Sequence, residues 1–224
     1  MESKTALPFG TWPSSLSAEK VASAAPKINH IQCCNHLVTW VECRPNEGGR
    51  NVIIGRSKNG LIKDLIPAPY SHYSRVHEYG GTAYALSENS IYFVNASDQR
   101  IYQQQFGTTT PVAITESGPR FADLIIDSVN HRLIAVCEQH DETTEPENYL
   151  VGISLAAGNM QITPLARGAD FYAYPRISPD GKSLCWIEWN HPNMPWDSTQ
   201  LWQADIHNHC LENKRLIAGG GGLE

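Results

Sequence analysis

The stretch Arg176-Ile177-Ser178-Pro179-Asp180-Gly181-Lys182-Ser183-Leu184-Cys185-Trp186-Ile187-Glu188-Trp189 decides the fold. Pro179 fixes φ, Asp180 bonds the backbone through its side chain, and Gly181 supplies the positive φ that a tight reversal needs. An alternating apolar run follows, so the stretch reads as strand, turn, strand: one β-hairpin. Its second strand has looser copies upstream. Val38-Thr39-Trp40-Val41-Glu42, Ile91-Tyr92-Phe93-Val94-Asn95 and Ile134-Ala135-Val136-Cys137-Glu138 align with Leu184-Cys185-Trp186-Ile187-Glu188. The interval between copies is irregular, about fifty residues, which is the length of a four-stranded propeller blade. The expected fold is therefore all-β: a β-propeller segment of about four four-stranded antiparallel blades, preceded by a short N-terminal arm and helix.

Composition narrows the function classes. The chain has 224 residues, of which 41% are hydrophobic, enough to bury a core. A formal charge of -6, with no dense Lys/Arg run, argues against a nucleic-acid surface, because phosphate neutralisation needs clustered cations. No apolar run approaches the roughly 20 residues that cross a bilayer, and Met1-Glu2-Ser3-Lys4 leads into no apolar segment. A cytoplasmic chain with no membrane partner is expected. Cys33, Cys34, Cys43, Cys137, Cys185 and Cys210 form neither a C-x-x-C pair nor a disulfide framework. Cys137 and Cys185 sit inside apolar strands and are expected to be small buried hydrophobes. His207-Asn208-His209-Cys210 has ligand-type residues but faces no second cluster, so it reads as a solvated turn, and no metal or cofactor is expected.

Along the chain, residues 1–26 are expected to form an extended arm and then a helix over 18–25, capped by Ser17, favoured by Glu19 in its first turn and ended by Pro26. The partial propeller is expected over 27–218, with blades at 27–66, 80–115, 120–166 and 171–218, and a flexible end at 219–224. The acidic stretch His140-Asp141-Glu142-Thr143-Thr144-Glu145-Pro146-Glu147 reads as a solvated, flexible excursion. An arc of four blades exposes unpaired edges and an apolar flank, so a piece of a larger ring is expected, with self-association through its open blade edges.

In up-and-down blades, the loops between second and third strands and the links between blades share one rim. That rim collects Glu42, Arg44, Arg75, His77, Glu78, Tyr79, Asn95, Asp98, Arg100, Glu138, His140, Glu188, Asn190, His191, Asn193, Trp196 and Asp197, a mixture suited to docking or binding. Gly80-Gly81 closes one of its loops and implies positive φ or close backbone packing. His77-Glu78 is not a metalloprotease motif, because H-E-x-x-H needs a second histidine where Gly81 stands. Gly55-Arg56-Ser57-Lys58-Asn59 lacks the last glycine of the G-x-S-x-G elbow and ends a strand that no helix follows. No self-sufficient active site emerges, and no catalytic residue is assigned.

Several strings carry a family resemblance. They are Pro8-Phe9-Gly10-Thr11-Trp12-Pro13, Arg44-Pro45-Asn46-Glu47-Gly48-Gly49-Arg50, Arg75-Val76-His77-Glu78-Tyr79-Gly80-Gly81, Asp98-Gln99-Arg100-Ile101-Tyr102, Asp170-Phe171-Tyr172-Ala173 and His191-Pro192-Asn193-Met194-Pro195-Trp196-Asp197. In this order they resemble the N-terminal propeller region of prolyl oligopeptidase family serine peptidases, in the dipeptidyl aminopeptidase and acylaminoacyl-peptidase-like branch. The resemblance implies a seven- or eight-bladed propeller that covers a C-terminal α/β-hydrolase domain and admits short peptides to its Ser, Asp and His triad. This chain departs from that pattern by ending after about four blades without the hydrolase domain. Arg75, His77, Glu78, Asn193, Trp196 and Asp197 match family strings, and they are candidates for gating substrate or docking the missing domain.

Two other readings belong to different classes. One is a stand-alone TolB-like interaction propeller that binds protein or peptide on its rim. The other is a metal-dependent lactonase-type propeller, in which Glu42, Asn95, Glu138 and Glu188 would converge on calcium.

Overall fold

The computed structural model describes residues 6–22, 26–82, 84–141, 145–156 and 161–220. The helix α1 (Ala18–Ala22) is short. The Ser17 hydroxyl caps it, accepting from the Lys20 amide at 3.0 Å; the expected continuation over 23–25 lies outside the described residues, as do residues 142–144 of the acidic stretch and 221–224 of the expected flexible end. The arm before it is not fully extended, because Thr11 N–H returns to Pro8 C=O at 3.2 Å.

Four antiparallel four-stranded sheets follow, each a meander in chain order. The first contains β1 (Lys27–Cys34), β2 (Leu37–Arg44), β3 (Arg50–Arg56) and β4 (Ile62–Asp64); the second contains β5 (Tyr84–Leu86), β6 (Ser90–Val94), β7 (Ile101–Gln105) and β8 (Val112–Ala113). The third contains β9 (Arg120–Asp127), β10 (Arg132–Gln139), β11 (Glu147–Ser154) and β12 (Ile162–Ala166); the fourth contains β13 (Phe171–Ile177), β14 (Ser183–Trp189), β15 (Gln200–His207) and β16 (Cys210–Gly219). The all-β, four-bladed expectation holds. The hairpin between β13 and β14 turns as its residues require: Gly181 has φ +70, its amide donates to Ser178 C=O, and Asp180 accepts from Ser178 Oγ and Lys182 N.

The core is three slabs between successive sheets. Ile54 and Val41 of the first sheet meet Phe93 and Tyr84 of the second. Val94 and Tyr92 of the second meet Phe121 and Leu133 of the third, and Ile134 and Val136 of the third meet Trp186 and Tyr172 of the fourth. The middle sheets are therefore buried on both faces, which is why β6 and β10 are continuous apolar runs; β14, in a sheet with one face covered, alternates. Cys137 is buried as expected, whereas Cys185 is only half-buried, because it faces away from the slab that covers Leu184 and Trp186.

The first strands of the sheets face one another across the centre. Three of them carry a bulge at the same place, with a left-handed residue: His30 in β1, Asp123 in β9 and Tyr174 in β13. Asp123, 5% exposed, uses its bulge to reach sideways. Its Oδ1 accepts from Thr82 N at 2.9 Å and its Oδ2 from Tyr174 N at 2.8 Å, so one carboxylate ties three sheets together. On the other side, Gln32 Nε2 donates to Tyr84 C=O at 3.0 Å.

The connection between β4 and β5 also spans sheets. His72 N–H donates to Asn51 C=O at 2.9 Å, and the His72 ring packs edge-on to His30 and Tyr84. That ring is 3% exposed, and burial pushes its pKa down to about 3.

Two outcomes follow. Asp123→Ala leaves two amides without their acceptor and should destabilise the fold by about 2–3 kcal/mol in urea unfolding, with Asp123→Asn losing less because one oxygen remains. Because His72 is neutral in the fold but titrates normally when unfolded, its contribution is complete above an unfolded pKa of about 6.5 and is lost as pH falls from there toward 3. The loss is about 1.4 kcal/mol per pH unit. Comparing unfolding midpoints at neutral pH and at about pH 5, wild type should lose roughly 2 kcal/mol more than His72→Phe. Equal losses would sink this account.

Candidate functional site

The segment between β4 and β5 is too long for an ordinary blade link, and loops of that length in compact domains are commonly functional. It crosses the rim and touches all four sheets. Asn51 N donates to Ser71 Oγ (3.1 Å) in the first sheet, and Tyr73 N donates to Val94 C=O (3.2 Å) in the second. Ser74 Oγ donates to Phe121 C=O (2.7 Å) in the third, and Val76 lies in the slab against Tyr172 and Trp186 of the fourth. The double glycine that closes the segment serves both expected purposes. Gly80 has φ +77 with Ser74 C=O 2.6 Å from where a Cβ would stand, and a Cβ on Gly81 would lie 2.8 Å from Asp123 Oδ1.

The segment is anchored on Glu138, which is 3% exposed. Glu138 Oε2 accepts from His77 N at 2.7 Å, while its Oε1 lies 3.2 Å from Arg120 Nη1 and 2.6 Å from His140 Nε2. A buried carboxylate needs such compensation, because removing it from water costs several kcal/mol. Arg120 continues the network to Arg75 C=O (3.1 Å) and Glu78 Oε1 (2.6 Å), and its hydrogen bond and then its charge hold the Glu78 carboxyl below the usual range. His77 and Glu78 both lie in the left-handed region, at φ 54 and 63, which is costly for side chains of this kind. The His77 ring packs on Phe171 (5.2 Å), Trp189 (5.7 Å) and Tyr79 (5.7 Å), and burial lowers its pKa against the opposing pull of Glu138 and Asp123.

The second rim loop lies between β14 and β15. Asn190 Oδ1 accepts from Asp170 N at 2.7 Å, and Asp170 Oδ2 accepts from His191 N at 2.9 Å, so the loop is pinned to the link that enters β13. Asp197 Oδ2 accepts from Met194 N at 3.0 Å and closes a turn whose Trp196 is 75% exposed. A cavity of about 200 Å³ separates the two loops, with His77, Tyr79, Tyr174, Trp189 and Pro195 among its lining.

Of the residues singled out in the sequence, Arg75, His77 and Glu78 therefore share one network through Arg120. Asp197 shapes its own loop, Asn193 N–H donates within that loop to Asn190 C=O at 3.1 Å, and Trp196 projects outward. Arg120, Asp123 and Tyr174 were not anticipated. A lone carboxylate in Phe121-Ala122-Asp123-Leu124 was the available signal, because a charge inside an apolar strand needs partners. The four lactonase-type candidates do not converge. Glu42 accepts from Trp40 Nε1 (2.9 Å), Asn95 donates to Ser97 Oγ (2.9 Å), Glu188 accepts from Trp186 Nε1 (2.8 Å) and Lys214 Nζ (2.9 Å), and Glu138 is engaged as above. Among the described residues, no group of three His, Cys, Asp or Glu side chains is placed to hold a metal ion, and no helix is long and apolar enough to cross a membrane.

No protein-family model matches the chain, and no curated protein is significantly similar to it. Solved structures are similar. A puromycin-hydrolysing peptidase of Mycobacterium tuberculosis shares 34% identity over 97% of this chain, with a TM-score of 0.88. This chain spans 36% of that peptidase. An acylaminoacyl peptidase of Pyrococcus horikoshii covers 89% of this chain at 12% identity, with a TM-score of 0.58, and this chain spans 33% of it. TolB of Acinetobacter baumannii covers 82% at 16% identity, with a TM-score of 0.56, and this chain spans 41% of it. The last two show the fold alone. Over nearly its whole length, this chain is similar to the propeller region of prolyl oligopeptidase family peptidases.

Proposed function

We propose that this chain is the non-catalytic N-terminal propeller portion of a cytoplasmic serine exopeptidase or oligopeptidase, and that its rim gates the access of short peptides to an α/β-hydrolase domain. The observation that carries the reading is the 34% identity across 97% of the chain with a peptidase of which the chain spans only 36%. In the whole enzyme the reaction is acyl transfer from peptide to serine and then to water. The rim supplies selection. Arg75 and Trp196 are exposed and face the peptide or the hydrolase domain, while His77 and Glu78, held by Glu138 and Arg120, keep the segment between β4 and β5 in place. Asn193 and Asp197 stiffen the neighbouring loop. The TolB-like reading rests on fold alone, and the lactonase-type reading needs carboxylates to converge that are engaged separately.

The purified chain should neither react with a fluorophosphonate nor cleave aminoacyl or acylaminoacyl anilides; labelling of this chain would overturn its non-catalytic role. Joined to its hydrolase domain, Arg75→Glu and Trp196→Ala should change kcat/KM for short peptides by about tenfold with Tm unchanged, since both side chains are exposed. Unchanged kinetics in both variants would remove the gating role. Self-association through the open edges or apolar flanks of the first and last blades belongs to the same proposal, and sedimentation of a clean monomer at high concentration would contradict it.

A further inference from the structure

We propose that the cavity between the rim loops is a subsite for one uncharged aromatic side chain of a short peptide, with Tyr79 and Tyr174 as its lip and Trp189 as its wall. The inference rests on the gating reading and adds the chemical class that the gate accepts.

Size comes first. An apolar cavity of about 150 Å³ holds a benzene ring, and this one, at about 200 Å³, has room for a single phenyl or phenol group. Val136 and Ile187 contribute apolar side chains to its lining. Trp189 is held rigidly, stacked on Phe171 at 5.2 Å and 13°, with the His77 ring edge-on to it at 5.7 Å. An aromatic guest meets ring faces and edges already in position, which favours it beyond the area it buries.

Charge comes second. Asp123 is the acidic group in the lining, and both of its oxygens already accept from backbone amides, at 2.9 and 2.8 Å. Asp123 is 5% exposed, so a lysine or arginine side chain reaches its charge only by giving up water, and the lining holds no lysine or arginine to meet an acidic one. An acidic guest would be desolvated without compensation, and a basic one would have only a buried, amide-bonded carboxylate in reach.

Exposure comes third. Tyr79 and Tyr174 are 60% and 55% exposed beside the opening, although both are large and partly apolar. Tyr174 occupies the left-handed bulge, at φ 52, that His30 and Asp123 occupy in their own strands, and from there its ring lines the cavity.

The test is calorimetric titration of the chain with Gly-Phe-Gly, Gly-Leu-Gly, Gly-Lys-Gly and Gly-Glu-Gly. Gly-Phe-Gly should bind about tenfold more tightly than the lysine and glutamate peptides. Tyr174→Gly removes the lip ring and relieves the backbone, and Thr199→Leu fills the cavity. Each should weaken Gly-Phe-Gly about fivefold while Tm holds within a few degrees. Equal binding of all four peptides overturns the inference. Phenylalanine binding that survives both variants places the guest elsewhere, which overturns the subsite and leaves the gating role to its kinetic test. If no peptide binds, the subsite also falls.

Discussion

Sheets arranged around a centre share no backbone ladder with their neighbours, so something else must fix their relative positions. Here the central tie is the Asp123 carboxylate, which accepts one amide from the entry to the second sheet and one from the first strand of the fourth. It can do so because β9 bulges at that residue, turning a side chain that would lie in the pleat toward both neighbours. The apolar slabs supply attraction between sheets, but attraction of that kind is not directional. The carboxylate adds direction, and Gly81 leaves the space for it.

The segment between β4 and β5 extends the same logic to the rim. It bonds to the first three sheets and packs on the fourth, and two of its residues sit in costly backbone conformations that only a surrounding framework can hold. Glu138 provides that framework from β10, and Arg120 balances its charge. The rim cavity exists because this segment and the loop before β15 approach each other without filling the space between. The rim cavity and the main cross-sheet strap are thus built from the same residues.

Much of the fold was legible in the sequence. The alignment of Trp40-Val41-Glu42 with Trp186-Ile187-Glu188 has a direct physical basis: residues two apart on a strand share a face, and in both copies the indole N–H donates to the glutamate, at 2.9 and 2.8 Å. The turn at Ser178-Pro179-Asp180-Gly181 formed as its residues require. Cys185 was read wrongly, because an apolar strand does not say which of its faces a neighbouring sheet will cover. The site was legible only in part: His77 and Glu78 stood out as a motif, but Arg120 looked like an ordinary strand start.

Strand, turn and blade order were determined by the sequence itself, since they depend on alternation and turn chemistry within a few residues. Tertiary structure alone decided which residues meet. Asp123 reaches partners 41 and 51 positions away, and Glu138 takes an amide 61 positions away. Contacts of that separation depend on how sheets stack and which strands bulge, and no local pattern of residues encodes the direction in which a buried side chain finds its partner.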